Sequence, residues 1–467
     1  MDANLGVLSL LPPIITIVLA LTTKRVLPSL FAGILTAHFV LSDSILSAPF
    51  NTINHMIKIA TDPGNFILIA FSLMVGGLLQ LISDGHGFKA FAAKAEKIGS
   101  GLSKKTAYGL TTVIGSSMFL EVWSNVLVNG ATNSPLYDKL GVSRVRLAYF
   151  THTISVSVVS VFVINGWGAF YMGLLNAQGV EEPFSFVVSS LPYILFSWIS
   201  LIIVFIVMIT GWSLGPIKRF EEAAAQKMAN AGKEETTEQA KEETNDNAVK
   251  PHVIYMLLPI AVLLVTVFVS LYVTGNGDML KGDGGLSILY AVALSSLVVG
   301  LLLYFVGKRS FIQIEESFVS GMAKFFSIGI LIVFALSLGD LTKMLGTGVY
   351  LSQLADGSLP IFLLPAVVFL LGAIMSFSTG TSYGTFSIML PIALPLANTA
   401  GLDPHLMFGA CIAGGLFGDN TSPISDTTIM TSLATEISIL DHITTQMPYA
   451  LTAGVLTIIG FLVLGSV

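Results

Sequence analysis

Residues 418–428 read Gly418-Asp419-Asn420-Thr421-Ser422-Pro423-Ile424-Ser425-Asp426-Thr427-Thr428: two carboxylates, an amide and five hydroxyls, with a glycine and a proline that interrupt helix. Apolar sequence from Leu406 to Phe417 leads into the run. An aspartate at the centre of a bilayer costs about 2.5–3.5 kcal/mol on insertion scales, so such a group faces a protein interior or an aqueous cavity. Two aspartates beside a helix break mark this run as the place where chemistry is expected.

Composition supplies the setting. Of 467 residues, 54% are hydrophobic and 11% charged, with a mean hydropathy of +0.83. A soluble protein carries about 25% charged residues, so the chain reads as an integral membrane protein. The single cysteine, Cys411, excludes an internal disulfide framework and a thiolate metal site. The net charge of −6 is uninformative because the charges gather in a few loops. Met1-Asp2-Ala3-Asn4 lacks the basic start of a cleaved signal peptide, so the first apolar segment is expected to be kept.

Apolar segments fall near 6–22, 26–42, 65–83, 106–135, 147–175, 186–212, 252–274, 285–306, 325–345, 360–400, 405–433 and 447–467. Most reach the ~17–25 residues needed to cross the hydrocarbon core. From Lys218-Arg219-Phe220-Glu221-Glu222 the sequence turns Glu/Lys/Ala/Thr-rich until Lys250-Pro251. That stretch predicts a solvated, partly helical linker with too few apolar residues to pack a core. It divides the chain into two halves, and Ser116, Pro135, Leu136 and Gly141 recur 260 positions later as Ser376, Pro395, Leu396 and Gly401. Gly85-His86-Gly87 likewise matches Gly346-Thr347-Gly348. Duplication accounts for the shared order.

Basic residues orient the halves. Lys24-Arg25, Lys89, Lys94, Lys97, Lys104, Lys105, Lys139, Arg144, Arg146 and the linker are placed in the cytoplasm, leaving Glu181-Glu182 and an Asp43–Asp62 loop outside. This holds only if 106–135 enters and leaves on one side, as a re-entrant hairpin. Lys308, Arg309 and Lys324 return the second half to the cytoplasm, and its matching hairpin, near 360–400, enters from outside. The expected fold is therefore an all-α polytopic membrane protein of two inverted-topology repeats, 1–212 and 251–467, with re-entrant hairpins and discontinuous helices joined by a 213–250 linker. In such architectures the substrate site lies near the bilayer midplane.

Within the second hairpin, Ser376-Phe377-Ser378-Thr379-Gly380-Thr381-Ser382-Tyr383-Gly384-Thr385-Phe386 is rich in small hydroxylic residues. Irregular backbone at membrane depth is tolerated where it lines a cavity, and its oxygens suit a cation. A close helix contact is the other use of such residues. In the downstream run, Asp419 and Asp426 are candidate sodium ligands, with neutral oxygens from Asn420, Thr421, Ser422, Ser425, Thr427 and Thr428. A buried carboxylate can hold a proton or a cation, and mutually exclusive occupancy is the simplest exchange coupling. Either aspartate could instead cap a helix at the break.

These two stretches, with Met389-Leu390-Pro391-Ile392-Ala393 between them, resemble the NhaC-type sodium/proton antiporters of the wider ion-transporter superfamily. Weaker echoes are Leu345-Gly346-Thr347-Gly348-Val349-Tyr350, the Ser143–Tyr149 turn and Gly166-Trp167-Gly168-Ala169-Phe170. The resemblance implies a secondary transporter that exchanges sodium, protons or an organic ion, with paired hairpins. Where the family commonly carries two acids and an aromatic in the first hairpin, this chain has Leu120-Glu121-Val122-Trp123-Ser124-Asn125, with Glu121 as the one acid. Where an Asp-containing patch often follows, it has Thr151-His152-Thr153-Ile154-Ser155.

Glu121, Asn125 and Asn129 share a helical face at four-residue spacing and are candidate site groups. Glu121 at a wet hairpin tip is the alternative. His152 titrates near physiological pH when unperturbed, so it is a candidate proton carrier or else an interhelical hydrogen-bonding group. Trp123 and Trp167 line the cavity or belong to an interfacial belt, and Asp340 is expected to face solvent.

The function expected from these residues is secondary active transport, as sodium/proton antiport by alternating access in a prokaryotic cytoplasmic membrane. Sodium- or proton-coupled movement of a small carboxylate or amino acid is the alternative, with Asn125, Asn129, Thr379 and the backbone amides of the hairpins as carboxylate partners. Candidate ion- and substrate-binding residues are Glu121, Asn125, Asn129, His152, Ser378, Thr379, Thr381, Ser382, Asp419, Asn420, Ser422, Ser425, Asp426 and Thr427. Sodium and protons serve as coupling ions without another cofactor. The partners are the lipid bilayer and a small inorganic or organic ion, not nucleic acid, and a homodimer stays open. Nothing resembles a repeated channel filter, an acid-protease dyad signature or a Gly-Lys-Ser/Thr phosphate loop.

Overall fold

The structure, a computed structural model, describes residues 5–42, 44–87, 103–231, 251–347 and 360–466, with Ala90 and Tyr350. Asp43, Lys89, Lys94, Lys97, Gly348, Val349 and the 232–250 part of the linker lie outside the described residues, as do residues 1–4. Every regular element among the described residues is helical. Among the described residues, seven helices are long and apolar enough to cross a membrane, and two bent pairs raise the number to as many as nine. The chain is a multi-pass membrane protein.

The order of helices repeats. Leu11–Thr23, Val26–Leu41, Ala48–Thr61, Pro63–Asp84, the Lys104–Ser117 and Val122–Lys139 pair, Arg144–Val161 and Gly166–Ala177 make the first series. Ile254–Thr274, Gly284–Phe305, Phe311–Lys324, Phe326–Met344, the Leu364–Thr379 and Ser382–Ala400 pair, Pro404–Thr421 and Asp426–Thr435 make the second. A terminal span closes each: the bent Pro183–Tyr193 and Leu195–Thr210 pair, then Ile439–Gly465.

Hydrogen bonds identify the first hairpin. Asn125 Nδ2 donates to Gly115 O at 2.7 Å, Asn129 Nδ2 to Thr111 O at 3.0 Å, and the Thr111 and Tyr137 hydroxyls meet at 2.9 Å. The ladder opens away from the tip, as two antiparallel arms require. At the far end Lys104 Nζ donates to Gly141 O at 3.2 Å, so the segment enters and leaves on one side. Pro135 and Pro395 sit inside the second arms of the two hairpins, where the missing N–H loosens the helical ladder.

Three readings of the sequence change. The supposed Asp43–Asp62 loop contains the helix Ala48–Thr61, and its counterpart Phe311–Lys324 was not anticipated either. Each is too short to span and mixes polar with apolar residues, which hid it from a search for apolar runs. The linker opens with a mostly exposed helix, Ile217–Ala231, in keeping with a solvated and partly helical segment, but it is anchored to the bundle: Ile217 is fully buried, and Glu221 pairs with the buried Arg146 at 3.1 Å. The last span starts at Ile439, eight residues earlier than the apolar run near 447.

Helices approach by bare backbone at several crossings. A Cβ on Gly414 would lie 2.3 Å from Phe369 O, and one on Gly418 would lie 2.3 Å from Ala373 O. In lipid, where burial of apolar surface gives little drive, such small-residue contacts are what associate helices. Ser376 Oγ adds a bond to Gly415 O at 2.6 Å. These contacts clamp Pro404–Thr421, which carries Asp419, onto the first arm of the second hairpin.

Candidate functional site

Four helices begin at breaks in the chain: Val122–Lys139, Gly166–Ala177, Ser382–Ala400 and Asp426–Thr435. Each hairpin packs on the broken helix of the opposite half. A Cβ on Gly130 would lie 2.8 Å from Ala434 Cβ, and one on Gly166 would lie 3.5 Å from the Tyr383 hydroxyl. The ring of Tyr383 lies edge-on to Trp167 and Phe170, with centroids 5.9 Å and 4.9 Å away.

The caps of these helices distinguish the breaks. Glu121 is the N-cap of Val122–Lys139, accepting from Trp123 N and Ser124 N at 2.7 Å each. Asn165 Oδ1 accepts from Gly168 N at 2.9 Å, while its Nδ2 reaches Phe119 O of the first hairpin tip at 3.1 Å. Thr381 Oγ1 accepts from Gly384 N at 3.4 Å. Ser425 makes no side-chain cap. Its hydroxyl donates to Asp419 Oδ1 at 2.8 Å instead.

Asp419 is fully buried, and Thr427 Oγ1 donates to its other oxygen at 2.8 Å. The same Thr427 hydroxyl meets His152 Nε2 at 3.0 Å. His152 Nδ1 meets His442 Nε2 at 2.9 Å and Gln446 Nε2 at 3.2 Å. Gln446 Nε2 also donates to Asn420 O at 2.7 Å, which identifies it as the amide nitrogen. A donor amide facing His152 Nδ1 makes that nitrogen an acceptor. His442 therefore supplies Nε2–H to it, and His152 donates from Nε2 to Thr427. Asp419, Thr427, His152 and His442 thus form one directed hydrogen-bond chain, every member buried.

Asp426 is different. It is exposed, and it lines a cavity of about 370 Å³ beside Trp123, Thr379, Thr381 and Tyr383. The exposed Lys24 and Arg25 line the same cavity and form its rim. Asp426 Oδ1 accepts from Thr427 N at 2.7 Å, and its side chain bonds Trp123. Glu121 lies within electrostatic reach of Asp426, joining the first hairpin tip to the site. The cavity can admit a small ion or molecule to a carboxylate that no basic residue neutralises among the described ion pairs.

The structure therefore brings together Glu121, His152, Thr379, Thr381, Asp419, Asn420, Ser425, Asp426 and Thr427. Ser382 begins the second-arm helix with a buried hydroxyl, and Ser422 Oγ donates to Phe377 O at 2.7 Å, tying the break to the hairpin. Ser378 is half-buried at the end of the first arm. Asn125 and Asn129 do not line the cavity: their amides hold the two arms of the first hairpin together. Spacing put them on one face without saying which face. Asp340 does not simply face solvent; it pairs with His55 at 3.5 Å. Trp167 is buried against Tyr383 and Phe386, outside any interfacial belt.

His442, Gln446 and Asn165 were missed. His442 and Gln446 are four residues apart on one helical face, just before the apolar run that was read as the last span. Their spacing was a usable signal. Asn165 lies between two apolar stretches that had been joined across the break, and Arg144–Val161 and Gly166–Ala177 bend by 43° there.

Broken helices from two repeats around a shared polar centre define a secondary active transporter. The profile of the Na+/H+ antiporter family matches residues 167–466, and the chain belongs to that family. An uncharacterized protein of Haemophilus influenzae is 32% identical, covering 99% of this chain and 92% of that one. The arginine/ornithine antiporter of Halobacterium salinarum is 27% identical over 45% of this chain and 41% of its own length. Among solved structures, the YdaH transporter of Alcanivorax borkumensis shares the fold, with a TM-score of 0.64 at 15% identity over 91% of this chain and 89% of that one.

Proposed function

We propose that the chain is a sodium/proton antiporter of the cell membrane that works by alternating access. Residues 1–212 and 251–467 form the two repeats, and 213–250 the linker. The observation that carries this reading is Asp426, a carboxylate at a helix break, open to a cavity and adjacent to the hydroxyl network of Asp419. In this scheme a cation or a proton occupies the Asp419–Asp426 centre, and occupancy by one excludes the other. Glu121, Thr379, Thr381, Ser425 and Thr427 surround it with oxygens.

Thr427 links the two carboxylates, donating from its hydroxyl to Asp419 and from its amide to Asp426, while only Asp419 continues through that hydroxyl to His152. Proteoliposomes holding a pH-sensitive dye test the scheme. Addition of sodium to energised vesicles is expected to move protons, and vesicles that respond to neither sodium nor lithium would refute it.

A second reading, coupled transport of a small organic carboxylate or amino acid, is favoured by the size of the cavity. A relative that exchanges arginine for ornithine, as its name states, supports the same direction. Counterflow with radiolabelled organic ions separates the two readings.

A further inference from the structure

We infer that the cavity beside Asp426 recognises a zwitterionic α-amino acid with an apolar side chain. The inference deepens the second reading above and rests on it. Size is the first ground. A water molecule fills about 30 Å³ of liquid, and small-molecule sites begin near 300 Å³. A cavity of about 370 Å³ is about three times what a sodium ion with three or four waters requires.

Charge is the second ground. Lys24 and Arg25 contribute to the cavity from the loop between Leu11–Thr23 and Val26–Leu41. Neither side chain has an ion pair or hydrogen bond among the described residues. Asp426 contributes from the opposite sequence half and also lacks a basic partner. One cavity therefore presents unneutralised charges of both signs. A bare cation has no use for Lys24 and Arg25, and a dicarboxylate would meet Asp426 with a like charge. A zwitterion is the small-molecule class that carries a partner for each sign: a carboxylate suited to the guanidinium of Arg25 or the ammonium of Lys24, and an ammonium suited to Asp426, all three of which line the one cavity.

The walls supply the third ground. Val26, Ile328 and Leu331 offer apolar surface between the charged groups, and Thr379 and Thr381 offer hydroxyls. Among the described residues, no charged group other than Lys24, Arg25 and Asp426 lines the cavity, so a charged side chain has no further partner there. An apolar side chain fits these walls.

The test uses the purified full-length protein and three kinds of probe. The first are L-leucine, L-valine and L-phenylalanine; the second is isopentylamine, which is leucine without its carboxylate. The third is 4-methylpentanoate, leucine without its amine. Equilibrium binding, checked by thermal stabilisation, is expected for at least one of the amino acids. Both leucine analogues should bind at least tenfold more weakly than leucine, because each forfeits a charge-assisted contact. Arg25→Gln should weaken amino-acid binding about tenfold or more while leaving isopentylamine unchanged, and Asp426→Asn should do the converse with 4-methylpentanoate.

Equal binding of leucine and both analogues would overturn the inference, as would binding by none of the amino acids. Sodium-evoked proton movement without amino-acid binding would overturn it while leaving the antiport reading intact. Loss of both would remove the two together. The wild-type chain carries the analogue series, so a variant that fails to fold does not decide the result.

Discussion

Thr427 is the residue at which the buried network can be broken most cleanly. Its hydroxyl donates to Asp419 and meets both His152 Nε2 and Ser425 Oγ, within 2.8–3.0 Å in every case. Thr427→Val keeps the shape of the side chain and removes only that oxygen. Two buried polar groups, Asp419 Oδ2 and His152 Nε2, then lose their partner. Each such loss costs about 1–3 kcal/mol, so the variant should be less stable by about 2–6 kcal/mol. Thr427→Ser keeps the hydroxyl and sheds one methyl, at about 1 kcal/mol.

The two variants therefore separate the network from mere packing. Thermal unfolding in detergent should place Val well below Ser, with Ser close to the parent. Reconstituted exchange should fall at least tenfold in the Val variant and persist in the Ser variant. Equal melting temperatures for the two, or equal transport, would refute the argument that the Thr427 oxygen joins Asp419 to His152.

Asp426→Asn should abolish exchange in proteoliposomes while the protein elutes as a folded species, because this carboxylate faces a cavity and is not packed in the core; near-normal transport would remove it from coupling. His152→Gln should alter the pH profile of exchange, since a glutamine cannot reproduce the Thr427–His152–His442 geometry, and an unchanged profile would assign His152 a structural role alone. Glu221→Ala should destabilise the protein by roughly 3 kcal/mol, the low end for breaking a buried pair, because Arg146 keeps Trp212 O and Ser213 Oγ; a denaturation midpoint within error of the parent would contradict this. Gly76→Ala brings a Cβ to 2.4 Å from Gly321 O and should cost about 1–3 kcal/mol, whereas Gly109→Ala meets nothing within 4 Å and should stabilise by up to about 1 kcal/mol, both read by the same melts.

The sequence disclosed what depends on composition and on local chemistry. Apolar runs located the spans, Gly and Pro located the breaks, and like-ordered residues in the two halves led to paired hairpins that the Asn125 and Lys104 contacts reproduce for the first. The acids at 419 and 426 were legible because lipid excludes them unless protein or water receives them. What was not legible depends on which way a residue faces. Asn125 and Asn129 have the right spacing for a site and spend it on the opposite arm of their own hairpin. Lys24 and Arg25 carry an orientation signal in the sequence, yet they also border the cavity; nothing local links residue 25 to residue 426. The helix Ala48–Thr61 mixes polar and apolar residues and lacks the continuous apolar run that marks a span. His442 and Gln446 fell just outside a boundary drawn on hydropathy.

The commitment of the Ser425 hydroxyl to Asp419 has a mechanical corollary. Because it serves Asp419, the ten-residue helix Asp426–Thr435 starts without the usual cap, and Asp426 itself holds the Thr427 amide. A proton or cation that engages Asp426 competes with that amide for the same oxygens. The loss of an N-cap costs about 1 kcal/mol, and a helix of ten residues has little reserve of its own. If a proton or cation loads Asp426 as proposed, the Thr427 amide loses its acceptor and the first turn of Asp426–Thr435 is expected to loosen. On that reading the proposed ligand-binding group and the cap of the helix are one side chain.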